Sequence, residues 1–302
     1  MPIVSTSEML IRGKDLKYAV GQFNIINLEF AQSILQAAQE EQSPVILGVS
    51  EDAVRNMGGF EITVQMVKEL MEENKVTVPV AIHLDNGSSI DNCLQAIRAG
   101  FTSVMINGSQ YSLEENINLT RRVIEVAHPV GVSVEAKMGW TDDQFLKNEE
   151  SVYAIPWECK QLVRETGADC LAPSINFVSS PYKEKPNLVF HQLNEVMKLT
   201  GVPLVLNNGT GIPIKDIQKA IFFGASKINV NIENHISMTP AASQEVKEQS
   251  IECDIHKFLP SARDAIKNTV KGKMRDFGSS GRAQLRHKIL YRIEKEKVKL
   301  SD

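Results

Sequence analysis

Two ionisable side chains directly follow apolar runs, at positions where a buried strand would end. Asp85 follows VPVAIHL and lies two residues after His83, so both side chains would point to the same side of an extended chain. A carboxylate placed there could act as a general base, and capping of the following loop explains it equally well. Lys137 follows GVSVEA. A lysine removed from water at that point is a candidate Schiff-base nucleophile, and pairing with Asp85 or Glu135 is the competing interpretation.

A second group of residues could hold an anion. The segment Asn207–Gly211 reads NNGTG and joins an apolar run to a helical pattern that begins near Pro213. Backbone N–H groups of such a turn, together with the helix N-terminus, can bind phosphate, although glycine is also common in plain turns. Lys183, Asn229 and Asn231 are further polar candidates for the same site.

The elements that must position these residues alternate along the chain. Short apolar runs bounded by Gly, Pro, Asn or Asp predict strands, and the amphipathic stretches between them predict helices. The predicted strands are Tyr18–Phe23, Val45–Gly48, Val78–Leu84, Ser103–Ile106, Val132–Ala136, Cys170–Ala172, Leu204–Leu206 and Lys227–Val230. This alternation predicts an α/β protein with a (β/α)8 TIM barrel. Chemistry is then expected at the carboxyl ends of the strands, with phosphate after the seventh and eighth.

Composition excludes several classes of protein. The 302 residues are 42% hydrophobic and 23% charged, with a net charge of -4, which gives no electrostatic reason to bind nucleic acid or an anionic membrane. No apolar run approaches the roughly 20 residues of a membrane span, and the N-terminus does not read as a secretory signal. The cysteines are scattered, as expected of reduced thiols in a cytoplasmic protein: Cys93, Cys159, Cys170 and Cys253.

The last part of the chain differs from the rest. Residues 1–280 are predicted to form the single barrel domain, and residues 281–302 read GRAQLRHKILYRIEKEKVKLSD, a basic helical tail. A narrow apolar stripe along this tail favours a terminal helix docked on the barrel, and a tail that binds a protein partner is the alternative.

Several motifs together resemble class II fructose-bisphosphate aldolases. They include YAVGQFNI, VPVAIHLDNGSS, GVSVEAKMG, PLVLNNGTGIP and KINVNIEN, and the similarity runs from Met1 to about Ser280. The resemblance implies a (β/α)8 barrel, usually a homodimer, in which zinc polarises dihydroxyacetone phosphate for joining to glyceraldehyde 3-phosphate. It makes Asp85 the catalytic aspartate. It implies substrate or phosphate contacts at Asn24, Ser50, Lys183, Gly209, Thr210, Asn229 and Asn231.

The sequence departs from this family at the metal. The three zinc-binding histidines of the family fall on Asn86, Ser179 and Asn207, and its secondary metal position falls on Asn107 and Lys137. Amide and hydroxyl groups replace imidazole poorly as zinc ligands. We therefore expect no cofactor, and in particular no zinc.

Three functions are consistent with this pattern. The first is a pseudoenzyme that binds a small phosphorylated sugar, or a related metabolite, without zinc-dependent cleavage. The second is a metal-independent aldolase or lyase of altered substrate, with Lys137 as Schiff-base or electrostatic residue and Asp85 as acid or base. The third and most remote is an ordinary fructose-bisphosphate aldolase of glycolysis.

Overall fold

The computed structural model describes residues 3–139, 154–177, 187–248 and 255–283. Its strands are β1 (Val20–Asn24), β2 (Val45–Ser50), β3 (Val80–Gly87), β4 (Ser103–Ile106), β5 (Ser133–Met138), β6 (Cys170–Pro173), β7 (Asn176–Phe177), β8 (Asn187–Leu188), β9 (Leu204–Leu206) and β10 (Ala225–Val230). Its helices are α1 (Thr6–Leu16), α2 (Leu28–Glu41), α3 (Glu51–Asn56), α4 (Phe60–Glu73), α5 (Ile90–Ala99), α6 (Leu113–Ala127), α7 (Pro156–Thr166), α8 (Phe190–Thr200), α9 (Ile214–Phe222), α10 (Ile232–Glu248) and α11 (Ile255–Asp276).

Eight of these strands are parallel and close into a barrel in the order β1-β10-β9-β6-β5-β4-β3-β2, whereas β7 and β8 form a separate antiparallel pair. The predicted (β/α)8 TIM barrel is confirmed. All eight predicted strands are present, and the short β7–β8 pair was not predicted. None of the helices within the described ranges is long and apolar enough to cross a bilayer. Of the predicted C-terminal tail, residues 284–302 lie outside the described part of the chain.

Side-chain caps define where several helices begin. The Asn27 side-chain Oδ1 accepts from the Phe30 N–H at the start of α2, and the Ser89 hydroxyl accepts from the Asn92 N–H at the start of α5. At the start of α6, Ser112 and Glu115 form a capping box, in which each side chain accepts from the backbone N–H of the other. These polar residues satisfy backbone donors that the first turn of a helix leaves unpaired.

Helix α1 closes the amino-terminal end of the barrel. Met9 and Leu10 are buried against the inner side of the strands, where they meet Val20, Ile46, Ala81, Cys170 and Val205. The Thr6 hydroxyl lies 2.7 Å from the Ser133 oxygen and 3.0 Å from the Ser103 oxygen, so the polar start of α1 is also paired. With this end filled, the carboxyl ends of the strands form the mouth of the barrel, at the end where α3, α5 and α9 begin.

Glu41 joins the end of α2 to the end of α11. Its carboxylate accepts from Arg275 Nη2 at 2.6 Å, from Arg275 Nε at 3.1 Å and from the Ser280 hydroxyl at 2.8 Å. Burial opposes ionisation here, but the hydrogen bonds from Arg275 and Ser280 outweigh it and lower the pKa of Glu41. A carboxylate whose pKa is lowered by folding stabilises the native state above its unfolded pKa and loses that contribution as the pH falls.

We therefore expect Glu41→Gln to lower the urea midpoint of unfolding at pH 7. The difference from the wild type should shrink as the pH falls through about 4, the ordinary range for glutamate. Urea titrations at pH 7, 5 and 3.5 measure this directly. Glu72→Gln, which removes an exposed carboxylate from α4, is the matched control. A midpoint difference that is the same at all three pH values would contradict the expectation.

Candidate functional site at the barrel mouth

Asp85 and Asn24 form the best-defined side-chain pair at the mouth. The Asn24 Nδ2 group donates to Asp85 Oδ2 at 2.9 Å. Strand pairing produces this contact, because Asn24 lies beside Gly48 in β2 and Ser50 of the same strand lies beside Asp85 in β3. Asn24 is buried and Asp85 is partly buried, so the amide holds the carboxylate at the edge of the interior. The arrangement suits a group that exchanges a proton with a ligand in the mouth.

Ser50 lies at the same end of the barrel and also starts a helix. Its hydroxyl oxygen accepts from the Ala53 N–H at 3.2 Å, so it is the N-cap of α3. The next residue, Glu51, accepts from the Ser88 N–H at 2.7 Å and from the Ser88 hydroxyl at 2.9 Å. These bonds tie the β2–α3 and β3–α5 connections together just after β3 ends.

Asn86 and Asn107 contact each other across the ends of β3 and β4. Asn107 Nδ2 donates to Asn86 Oδ1 at 3.3 Å, and Asn107 Oδ1 accepts from the Ser109 N–H and hydroxyl at 3.2 and 2.7 Å. Asn86 has a φ of 55°, a left-handed conformation that asparagine tolerates better than most residues. The pairing of β3 with β4 shifts register between Leu84 and Gly87, so Asn86 lies within a bulge.

The turn after β9 is held by Asn208 within the turn and by Asn229 of β10. The Gly209 N–H donates to the Asn229 carbonyl oxygen at 2.9 Å, and Asn229 Nδ2 donates to Asn207 Oδ1 at 3.4 Å. The Thr210 N–H donates to Asn208 Oδ1 at 3.0 Å. The two backbone donors predicted to bind phosphate therefore already have acceptors. An incoming phosphate would have to displace the Asn208 side chain to reach the N–H of Thr210.

The remaining predicted residues differ in where they lie, and some fall outside the described ranges. Lys137 lies near the end of β5, partly buried, and its carbonyl oxygen accepts from Asn116 Nδ2 at 2.9 Å. Asn231 is exposed just after β10. Lys183 and Ser179 lie outside the described residues. The structure thus brings Asn24, Ser50, Asp85 and the β9–α9 turn to one end of the barrel, with Lys137 at the same end.

Sequence patterns did not single out the buried ion pair below this mouth. Lys227 Nζ donates to Glu135 Oε2 at 2.7 Å, and both side chains are fully buried. His83 Nε2 lies 3.5 Å from Lys227 Nζ, and His83 Nδ1 lies 2.8 Å from the Ser103 hydroxyl. Burial, followed by the charge of Lys227, lowers the pKa of His83 well below its ordinary value, so the imidazole is neutral. His83 thus belongs to the interior of the barrel, and Lys227 is the lysine that hydrogen-bonds Glu135.

Residues 4–282 match the family described as fructose-bisphosphate aldolase class-II. A probable fructose-bisphosphate aldolase of Bacillus subtilis (strain 168) is 57% identical over 285 residues, which are 94% of this chain and 100% of the relative. The chain belongs to this family. The fructose-bisphosphate aldolase of Geobacillus stearothermophilus is 55% identical to this chain, and the match covers 94% of this chain and 99% of the relative. Among solved structures, the YdjI aldolase from Escherichia coli K12 superposes with a TM-score of 0.81 at 32% identity, and the match covers 93% of this chain and 100% of the other.

The expectation of a pseudoenzyme is wrong. Relatives that are 53–57% identical over almost the entire chain are named fructose-bisphosphate aldolase, and none of these names describes a protein without catalytic activity. Loss of individual ligand positions is too narrow a basis for inferring loss of turnover, since the rest of the barrel follows its relatives closely. The same names support an ordinary aldolase, so the metal-independent lyase of altered substrate is contradicted as well.

The expectation that zinc takes no part is also contradicted, because the chain belongs to the class II family and resemblance to that family implies zinc. The donors in the described ranges nevertheless do not fit the metal. Asn86 is hydrogen-bonded to Asn107, and Asn207 is hydrogen-bonded to Asn229. In these ranges, no group of three or more His, Cys, Asp or Glu side chains could hold a metal ion.

Proposed function

We propose that this class II family member catalyses reversible aldol cleavage of a phosphorylated ketose, with fructose 1,6-bisphosphate as the first candidate. The observation that carries the proposal is the Asp85 carboxylate, held by Asn24 at the mouth of the barrel. The family to which the chain belongs and the names of the relatives support the choice of reaction and substrate.

Cleavage of the ketose breaks the bond between C3 and C4. A base takes the proton of the C4 hydroxyl, the carbonyl forms at C4, and the electron pair of the C3–C4 bond passes to an enediolate on C2 and C3. A proton then returns to C3 to give the second triose. We assign the first proton transfer to Asp85, since an ionised carboxylate accepts a proton and Asn24 fixes its position.

The phosphate groups of the ketose would lie against the rim of the barrel. We propose that the Thr210 N–H and the Asn229 side chain bind one of them, in a turn that the backbone hydrogen bond from Gly209 to Asn229 holds where β9 and β10 end. The further proposed substrate contacts, taken from the family resemblance, are Asn24, Ser50, Lys183 and Asn231. Binding of this kind joins backbone donors to the N-terminal end of α9, where the helix dipole favours an anion.

Asn208 is expected to weaken this phosphate site, because its Oδ1 atom occupies the Thr210 N–H. Asn208→Ala removes that acceptor and should lower the KM for fructose 1,6-bisphosphate about fivefold, the equivalent of one net hydrogen bond. Steady-state kinetics on the variant and the wild type measure the change. Asn74→Ala, which removes an amide from the end of α4, is the control. A rise in KM for Asn208→Ala would show instead that Asn208 itself binds the substrate.

The direct test of the proposed function is turnover of the purified wild-type protein. Fructose 1,6-bisphosphate cleavage is followed by coupling the triose phosphates to NADH oxidation, and condensation is followed in reverse. Each assay is run in metal-chelated buffer and in buffer supplemented with zinc, because family membership implies a metal. Cleavage and condensation that obey the same equilibrium constant would support the proposal. The absence of both reactions in both buffers would overturn it.

We also propose that the protein is a cytoplasmic homodimer whose small-molecule partner is the phosphorylated sugar. The family resemblance supports the dimer, and the buried free thiols of Cys93, Cys159 and Cys170 agree with a reducing compartment. The division near residue 280 and a partner for the basic tail remain predictions. Light scattering on the full chain, and on a chain ending at residue 283, tests both the dimer and any role of the tail in forming it.

A further inference from the structure

We propose that Gln22 is a positioning residue for the reaction: it orients the Asn24 amide, and the oriented amide holds Asp85. The inference rests on the proposed function and extends it to a residue that acts on Asp85 through Asn24. Gln22 lies in β1, two residues before Asn24, and its side chain is fully buried. Alternation along the strand sends both side chains to the same side, toward the interior of the barrel.

Two hydrogen bonds link three side chains in series, and in both the amide nitrogen donates toward Asp85. Gln22 Nε2 donates to Asn24 Oδ1 at 3.2 Å, and Asn24 Nδ2 donates to Asp85 Oδ2 at 2.9 Å. An ionised carboxylate only accepts, so the nitrogen of Asn24 must face Asp85. Its oxygen then faces Gln22, which must present its own nitrogen. Rotating either amide by half a turn would bring two oxygen atoms together.

The direction of this chain leaves an acceptor without a partner. Gln22 Oε1 is buried and has no hydrogen-bond partner in the described part of the chain. An unpaired buried acceptor costs stability, and an apolar side chain of the same length would remove this one but leave Asn24 Oδ1 without its donor. Gln22 thus pairs one buried acceptor and leaves another unpaired, so what the glutamine contributes here is the orientation of Asn24.

The neighbouring strand makes room for the Gln22 amide. A Cβ atom placed on Gly48 would lie 2.5 Å from Gln22 Nε2 and 2.7 Å from Gln22 Cδ. Gly48 pairs with Asn24 in the sheet register, so the space lies beside the hydrogen-bonded chain. Glycine at position 48 therefore leaves space for the Gln22 amide to reach Asn24. A larger residue at position 48 would displace that amide, which gives a second variant for testing the proposal.

The test compares Gln22→Met with the wild type. Methionine keeps the length of the side chain but removes both the donor to Asn24 and the unpaired oxygen. We expect kcat for fructose 1,6-bisphosphate cleavage to fall between about ten and a hundredfold, with KM nearly unchanged, because the base is displaced while substrate binding is retained. Thermal stability should change little, because the variant removes the unpaired Gln22 Oε1 but leaves Asn24 Oδ1 without its donor. Unchanged kcat with a lower Tm would show a packing role alone and would overturn the proposal.

Two further variants separate orientation from general damage to the barrel. Gln36→Met removes a partly buried glutamine amide that donates to Asn74 on the outer layer, and it should leave kcat unchanged. Gly48→Ala should lower kcat as Gln22→Met does, since the new methyl group displaces the same amide. If both act through Asn24, the double variant Gln22→Met/Gly48→Ala should be no slower than the slower single variant. Multiplying losses would contradict a shared route.

Failure of this inference can be told apart from failure of the proposed function. Turnover by the wild type decides the function, and the ratio of variant to wild-type kcat decides the role of Gln22. If the wild type shows no turnover, high-resolution crystal structures of the wild type and of Gln22→Met still decide the role of Gln22. We expect the Asn24–Asp85 hydrogen bond to be lost or lengthened in the variant, and an unchanged bond would overturn the proposal.

Discussion

Asp85→Asn is expected to lower kcat for cleavage of fructose 1,6-bisphosphate about 100- to 10,000-fold, the range over which a positioned general base contributes to catalysis. Asparagine keeps the shape of the side chain, and its carbonyl oxygen can still accept from Asn24 Nδ2, which now lies 2.9 Å from the carboxylate. It cannot take the proton of the C4 hydroxyl. The fold should therefore survive while the chemical step is lost. The coupled NADH assay at saturating substrate measures kcat, and thermal unfolding checks the fold.

A matched control comes from Asp52, on the first turn of α3 and on the same end of the barrel. Asp52 is exposed and pairs with Arg55 three residues later. Asp52→Asn removes one negative charge close to the mouth without touching the Asn24–Asp85 pair, so kcat should stay within about twofold. Equal losses in the two variants would indicate a general electrostatic effect of charge at the mouth. Turnover by Asp85→Asn within about threefold of the wild type would remove Asp85 from the proposed mechanism.

The strands could be predicted because burial leaves a local record in the sequence. Each barrel strand is a short apolar run between turn residues, and the observed Ser103–Ile106 and Leu204–Leu206 have the predicted bounds. The end of β3 was missed, because the strand continues through Asp85 to Gly87. That extension depends on a register shift against β4, which no local pattern encodes.

The site could be predicted only as a set of strand ends. Asp85 was chosen as a candidate from its place after an apolar run, but Asn24, which hydrogen-bonds it, is 61 residues away along the chain. Likewise, Glu135 and Lys227 are 92 residues apart, and each alone reads as a polar interruption of a strand. Charges within two apolar strands were a usable signal, yet only the closed barrel shows that they neutralise each other. The same limit led to the wrong conclusion of a silent barrel, since single positions were weighed without the rest of the fold.

Lys227→Met is expected to reduce the free energy of unfolding by about 3–5 kcal/mol, the cost of breaking a buried ion pair from one side. Lys227 Nζ lies 2.7 Å from Glu135 Oε2, and neither side chain is exposed to solvent. Without the ammonium group, Glu135 must either remain charged in the interior or take up a proton. Its second oxygen, Oε1, already has no hydrogen-bond partner in the part of the chain that is described. Urea unfolding followed by circular dichroism measures the loss.

Comparing Lys227→Met with a double variant shows whether this loss comes from the unpaired Glu135 carboxylate or from the lost packing of the lysine side chain. Replacing both partners, as Lys227→Met/Glu135→Leu, removes the unpaired charge and should recover most of the stability, because apolar side chains often substitute for a buried ion pair with little cost. Lys271→Met is the control for a pair nearer the surface: its ammonium group lies 2.6 Å from Glu40, whose side chain is 45% exposed, and the loss should stay within about 1 kcal/mol. If the double variant is as unstable as Lys227→Met alone, the stem of Lys227 fills the barrel interior and the charge pair contributes little.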